Sequence, residues 1–262
     1  MVSKSILNEY YNIPLNQIGF FQYNNEDYYL SNNTNLSIYF QYINLTHFSS
    51  YHIIHNIFNQ ATSNEHILYK YQNNNINIKN LIYYSLQIIE TKSMTHIKKS
   101  WIKLMNDSQN NFKNEVIYHY NFALGQLAIE LLNFYFPKDI DIKLGFEHIV
   151  SYPDVKNICN PDNIVIATRI NDLEYLFCND FLTEKQMIQI INEYHLDKSD
   201  LIMLLCKSIY PNIFLMNILN NDINLNEEYK RLKNNLIHIN QLIDILKHFI
   251  YIPMIYWLKN EY

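Results

Sequence analysis

Asn160–Phe181 reads NPDNIVIATRINDLEYLFCNDF. Asn160 and Pro161 are a turn signal. Ile164, Val165, Ile166 and Ala167 make a short apolar run of strand-forming type. Asp172, Leu173 and Glu174 then open a helix, with acids where the helix dipole favours them. The stretch predicts turn, strand, polar turn and helix in succession. The strand closes on Ile166, Ala167 and Thr168, so no carboxylate stands at its end.

On the C-terminal side the pattern is helical. Glu184–Tyr194, Ser199–Tyr210 and Tyr229–Ile250 are predicted helices. In the last, Tyr229, Leu232, Leu236, Ile239, Ile243, Leu246 and Ile250 alternate spacings of three and four. Over about three heptads this reads as an amphipathic helix packed on its own domain rather than a coiled-coil seam. On the N-terminal side, the segment from Pro137 to about residue 163, holding Pro153 and Pro161, reads as irregular. Before it, helical patterns carry Leu81, Tyr84, Leu86, Ile88 and Ile89, then Ile97, Trp101 and Leu104, then Phe112–Phe134.

The first 75 residues differ. Residues 3–12 read as a short helix that Pro14 breaks. Ile18–Tyr23, Asp27–Leu30 and Leu36–Tyr42 are predicted strands separated by Asn-rich turns, which argues for an antiparallel meander. Tyr51–Gln60 is helical in pattern, and His66–Tyr71 reads as a further strand. The layout is a small β-rich N-terminal lobe, 1–75, and a larger helical lobe, 76–262, with the Asn-rich Gln72–Asn80 tract as a hinge. No internal repeat is present.

Composition bounds the class. Aromatics reach 15% and apolar residues 48%, so the chain should fold rather than stay disordered. Only three glycines occur, and the turns lean on Asn, which tolerates left-handed backbone. Richness in Asn, Ile, Tyr and Lys, with only Arg169 and Arg231 as arginines, points to an AT-rich coding genome. The formal charge is −5 without a long basic block, which argues against a nucleic-acid grip. Lys92, Lys98, Lys99 and Lys103 form the densest basic cluster, and a solvated helix face accounts for it. The start, MVSKSILNEYYN, lacks the apolar centre of a signal peptide, and no apolar run reaches the roughly 18 residues of a membrane span. Cys159, Cys178 and Cys206 have no paired spacing. The expectation is a cytoplasmic protein with reduced thiols.

Several stretches carry a family resemblance. Residues 6–30, with ILNEYY and then YYL, His119–Leu132 (HYNFALGQLAIELL) and Pro161–Tyr175, ending in NDLEY, are three of them. Leu196–Leu219, with its central Tyr210-Pro211, and Ile252-Pro253 to Trp257-Leu258 complete the set. Together and in this order they resemble the spore-coat YutH/CotS group of aminoglycoside-phosphotransferase-like kinases, over most of the chain. The resemblance implies an α+β, protein-kinase-like bilobal fold with a small antiparallel β-rich N-lobe and a larger, mainly helical C-lobe.

That resemblance sets a chemical test. Phosphotransfer needs a phosphate-covering loop, a lysine on the phosphates, a catalytic Asp and metal ligands. Gly19 stands alone in the N-lobe, and no Lys or Arg occurs between Ser5 and Tyr69, although Glu9, Glu26, Asp27 and Glu65 do. A His-x-Asp motif with an Asn five residues past the Asp is not found. His148, Asp154 and Asn157 have the wrong spacing, and position 159 is Cys. The resemblance places the metal-binding Asp near residue 167, which is Ala167, whereas Asp172-Leu173 matches the pair that follows. Asp172 is expected to cap a helix rather than to act in catalysis.

Two functions stay open at this stage. The first is a catalytically inactive, kinase-like protein that acts through a protein partner or in structural assembly, without cofactor, with spore-coat association implied by the resemblance. Tyrosine, with 23 residues, suits such contact surface. The second is a divergent small-molecule phosphotransferase using ATP and magnesium. It would employ Asp154 or Asp162 as base and Asn160 or Asp172 on the cofactor. Two smaller constellations were weighed. His52 and His55, three apart on the predicted helix, with Glu65 and His66 nearby, are of zinc-binding type without a full ligand set. Glu115 and His119, four apart, read as a surface pair.

Overall fold

A computed structural model describes the backbone of residues 19–23, 26–31, 51–59, 64–71, 78–147 and 165–253. Side chains are described for 78–147, apart from Asn80 and Tyr84, and for 165–253. The expected helix at 3–12, strand at Leu36–Tyr42, hinge before residue 78 and the loop carrying His148, Asp154, Asn157, Cys159, Asn160 and Asp162 lie outside the described residues. So does the C-terminal stretch from residue 254. The chain divides into two compact units, Met1–Gln87 with Phe146–Ala167, and Ile88–Gly145 with Thr168–Tyr262.

The first unit holds a four-stranded antiparallel sheet. Strands β1 (Gly19–Tyr23) and β2 (Glu26–Ser31) form one hairpin, and β3 (Tyr51–Asn59) and β4 (Asn64–Tyr71) form a second. The hairpins join through β2 and β4, giving the order β1-β2-β4-β3. The helix expected at Tyr51–Gln60 is corrected to strand β3. Its register shifts between Ile53 and His55. That bulge adds one residue and breaks the period-two pattern, so Ile53, Ile54, Ile57 and Phe58 imitate helical spacing. The isoleucines and aromatics themselves favour a strand. Helix α1 (Ile78–Ser85) follows, with Leu81 and Ile82 buried.

The second unit begins with β5 (Glu90–Ser93), which pairs antiparallel with β6 (Asp141–Glu147); the third strand of that sheet, β7 (Val165–Thr168), lies beyond β6. Strand β6 falls where an irregular segment was expected. Its signal is period two: Ile142, Leu144 and Phe146 are buried and alternate with Lys143 and Gly145. Helix α2 (Met94–Gln109) starts at Ser93 without a side-chain cap of its own. Asp139 supplies the cap from outside, accepting from the Thr95 N–H at 2.9 Å and the Ser93 hydroxyl at 2.6 Å.

Helix α3 (Val116–Tyr135) packs on α2 at Gly125. A Cβ there would lie 2.8 Å from the Met105 sulfur, so the missing side chain sets how closely these helices approach. Then come α4 (Asn171–Cys178), α5 (Glu184–Glu193), α6 (Lys198–Ile209), α7 (Asn212–Leu219) and α8 (Leu225–Leu246). The expected single element around Tyr210-Pro211 is two helices. Pro211 has no N–H to continue α6, and the axes bend by 45°. Tyr210 covers the junction, stacking on Trp101 at 4.3 Å and donating to the Trp101 carbonyl at 2.7 Å.

Helix α6 lies at the centre. Leu201–Cys206, Ser208 and Ile209 are all buried, as an all-round apolar helix requires. It packs against α3, α4 and α8. Helix α8 meets it through Leu236, Ile239, Leu242, Ile245 and Leu246 and leaves Tyr229 and Ile237 exposed, so it is an amphipathic helix of its own domain. The chain is thus an α+β protein, an antiparallel sheet with a mostly helical remainder. Among the described residues no single helix is long and apolar enough to cross a membrane.

The α2–α3 approach yields a pair of expected outcomes. Gly125→Val should drive branched methyl groups into Met105 and destabilise by about 1–3 kcal/mol. Gly125→Ala should be near neutral, because the flexible Met105 end can shift while helix propensity improves by about 1 kcal/mol. Urea midpoints of the two variants measure the difference.

Candidate functional site

The sequence draws attention to the end of β7, and the structure builds a charged cluster there. Strand β7 presents Val165, Ile166, Ala167 and Thr168, and Ala167 stands where the resemblance expects an acid. The next residue, Arg169, turns inward with its side chain 8% exposed. Its backbone N–H donates to the Lys143 carbonyl on β6, which holds the turn against the sheet.

The Arg169 guanidinium closes on Asp200 in α6, whose side chain is 4% exposed. Nε donates to Oδ1 at 2.9 Å, and Nη2 donates to Oδ2. Two parallel bonds of this kind are the strong form of an Arg–carboxylate pair. Lys143 donates to Asp197 and lies 3.7 Å from the same Asp200 Oδ2. Asp197 is the N-cap of α6, and Asp200 is its third residue. The Asp200 N–H donates to Asp197 Oδ1 at 3.0 Å, and the Asp197 N–H donates to Asp200 Oδ2 at 3.1 Å. This reciprocal capping box fixes the helix start.

Electrostatics follow from those partners. Partial burial raises the Asp197 carboxyl pKa. Lys143, Ser199 and the Asp200 N–H outweigh that and hold it well below the usual carboxylate range. Burial and Glu174 push the Cys178 thiol up, and burial pushes the Cys206 thiol up, so both described cysteines are free and poor nucleophiles.

Asp172 is the second residue of α4 and 0% exposed. The cap of that helix is Ile170, and no side chain caps it. The capping role expected of Asp172 is therefore corrected. It sits inside the first turn, where the helix dipole favours its charge. Asp154, Asp162 and Asn160 lie outside the described residues. His119 pairs with Asn114, Nε2 to Oδ1 at 2.9 Å, instead of with Glu115, which is the N-cap of α3. It also lines an open groove of about 470 Å³ with Gln109, Phe112, Phe122, Ala123 and Gln126, a wall of rings and amides without a carboxylate. Among the described side chains no group of three or more His, Cys, Asp or Glu is arranged to hold a metal ion.

Sequence reading passed over the Arg169–Asp200 pair. Two signals were available. Asp197-x-x-Asp200 has the spacing of a reciprocal cap, and the helix behind it is apolar all round, so its acid must be buried and needs a counter-ion. The chain's other arginine repeats the device on a smaller scale, since Arg231 and Asn217 both donate to the buried Glu228.

Comparison of the chain with protein-family models, curated proteins and solved structures found no match.

Removing one partner strands a buried charge. Arg169→Met should destabilise the second unit by about 3–5 kcal/mol, and the double change Arg169→Met, Asp200→Leu should recover much of that. Thermal or urea unfolding of both variants reads it. A second outcome concerns acid. The Asp197 carboxyl is lower in the folded than in the unfolded chain, so its contribution is full above about pH 4 and fades as pH falls through the folded value. Acid titration should therefore unfold Asp197→Asn at nearly unchanged pH but with a shallower loss of stability below about pH 4 than wild type.

Proposed function

We propose that this chain is a catalytically inactive, kinase-like protein that works by binding a protein partner or by structural assembly. The observation that carries the reading is the end of β7. No carboxylate stands on Val165–Thr168, and the first charges beyond it, Arg169 and Asp200, are closed on each other in the interior. An acid whose two oxygens already accept from a guanidinium has little capacity left for a magnesium ion. Asp172 is wholly buried and offers no open coordination position.

The N-terminal part supports the same reading from another side. Phosphate chains are held by fixed positive charge and glycine-rich backbone. From Ser5 to Tyr69 there is no lysine or arginine, and Lys70, the penultimate residue of β4, is the first. The bilobal arrangement, the kinase-like ancestry and association with a spore coat belong to this proposal and rest on the resemblance of the motifs. Large exposed side chains, Phe134, Tyr229, Ile237 and Tyr251 among them, suit a protein that works by contact.

Nucleotide titration decides between this reading and a divergent phosphotransferase built on Asp154, Asp162, Asn160 and Asp172. Millimolar ATP with magnesium should leave every melting transition unmoved. A ligand present at 100 times its Kd stabilises by about 2.7 kcal/mol. For a protein of this size that is a rise of roughly 5–10 °C. A rise of several degrees overturns the inactive reading.

A further inference from the structure

The register of the first unit places all three histidines of strands β1–β4 on one face of the sheet. Residues directly opposite across a ladder share a face, and so do residues two apart on one strand. His52 is paired with Lys70 and His55 with Leu68. Lys70 and Leu68 are two apart, so His52 and His55 share a face although they are three apart in sequence. The register shift between Ile53 and His55 takes up the odd residue. His66 is two from Leu68 and paired with Ile57, which puts it on that face as well. Glu65, its sequence neighbour, is paired with Phe58 and falls on the opposite face.

The three positions are not equivalent. His55 and His66 are diagonal neighbours, with Cα atoms roughly 7–8 Å apart. His52 and His55 are about 7 Å apart along the strand. His52 and His66 are four register steps apart, about 14 Å, too far for one ion to join them. Lys70, directly opposite His52, brings a positive charge that disfavours a cation at that end. The favourable end is therefore the one shared by His55 and His66.

We propose that His55 and His66 form a site for a divalent transition metal on this face of the sheet. Two imidazoles without a carboxylate select zinc, copper or nickel over magnesium or calcium. Imidazole must be neutral to bind, so the site empties below about pH 6. The site is separate from phosphotransfer, which would use magnesium on oxygen ligands.

Calorimetric titration of the full chain with zinc alone, at about pH 7.5, tests it. Losing only an outer-shell partner of a ligand costs roughly 10–100-fold in affinity, so His55→Ala and His66→Ala should each weaken binding by at least about tenfold. Glu65→Ala, on the other face, should leave it unchanged. Ile57→His, directly opposite His66, adds a third imidazole and should tighten binding by at least about tenfold, whereas Phe58→His should not. This gain does not depend on whether the alanine variants fold. Absence of zinc binding in the wild type overturns the proposal. So does wild-type affinity in His55→Ala and His66→Ala, or tightening by Phe58→His but not Ile57→His. Loss in His52→Ala with retention in His66→Ala assigns the ion to the other pair and overturns the site as stated.

Discussion

Burial of helix α6 is the constraint from which the second unit follows. A helix that is apolar on every side must be surrounded, and the acid of its first turn then goes inside with it. Asp200 needs hydrogen bonds and a counter-charge there, because an ionised carboxylate cannot sit alone in a low-dielectric interior. Arg169 supplies both, and its position just after β7 fixes where the strand-to-helix turn meets α6. Lys143 on β6 and the Asp197 cap extend the same network to the sheet and to solvent. One electrostatic requirement thus ties a strand end, a sheet and the central helix into one geometry.

That geometry bears on the functional reading. The place where a phosphotransferase would keep a metal-holding acid is occupied by a strand without one and by a turn committed to the fold. Networks of this type are expensive to break and of little use for chemistry, since every acceptor is already taken. The two cysteines described are in the same position, for burial keeps their thiols protonated. The groove beside α3 carries an imidazole and amides but no carboxylate partner. What the described surface does offer is contact area, in exposed aromatic and aliphatic side chains on α3 and α8.

Local sequence was informative where one signal dominated. Strands β1, β2 and β4 and the helices α2, α3, α5, α6 and α8 follow from periodicity and punctuation, and Tyr210-Pro211 marks a genuine break. Reading failed where two signals interfered. In β3 a bulge displaced the alternation by one residue, and a strand took on the spacing of a helix. In β6 the alternation of Ile142, Leu144 and Phe146 was intact but short, and the prolines on either side outweighed it. The cap of α2 could not be read from its own residues, because Asp139 reaches it from 44 positions away.

The sequence by itself determined the division between a β-rich beginning and a helical remainder, because the two hydrophobic periods differ and propensity agrees with each. It also determined which charges are missing: no lysine or arginine before Lys70 on the sheet, and Ala167 at the end of β7. Only the tertiary structure decided which charges meet. Arg169 and Asp200 are 31 residues apart, and Lys143 is 54 from Asp197, so no local pattern relates them. Their pairing comes from packing α6 at the centre, where the cost of an uncompensated buried charge leaves one arrangement favoured. The common face of His52, His55 and His66 has the same origin, since pairing with β4 and a bulge in β3 decide it, and sequence spacing does not.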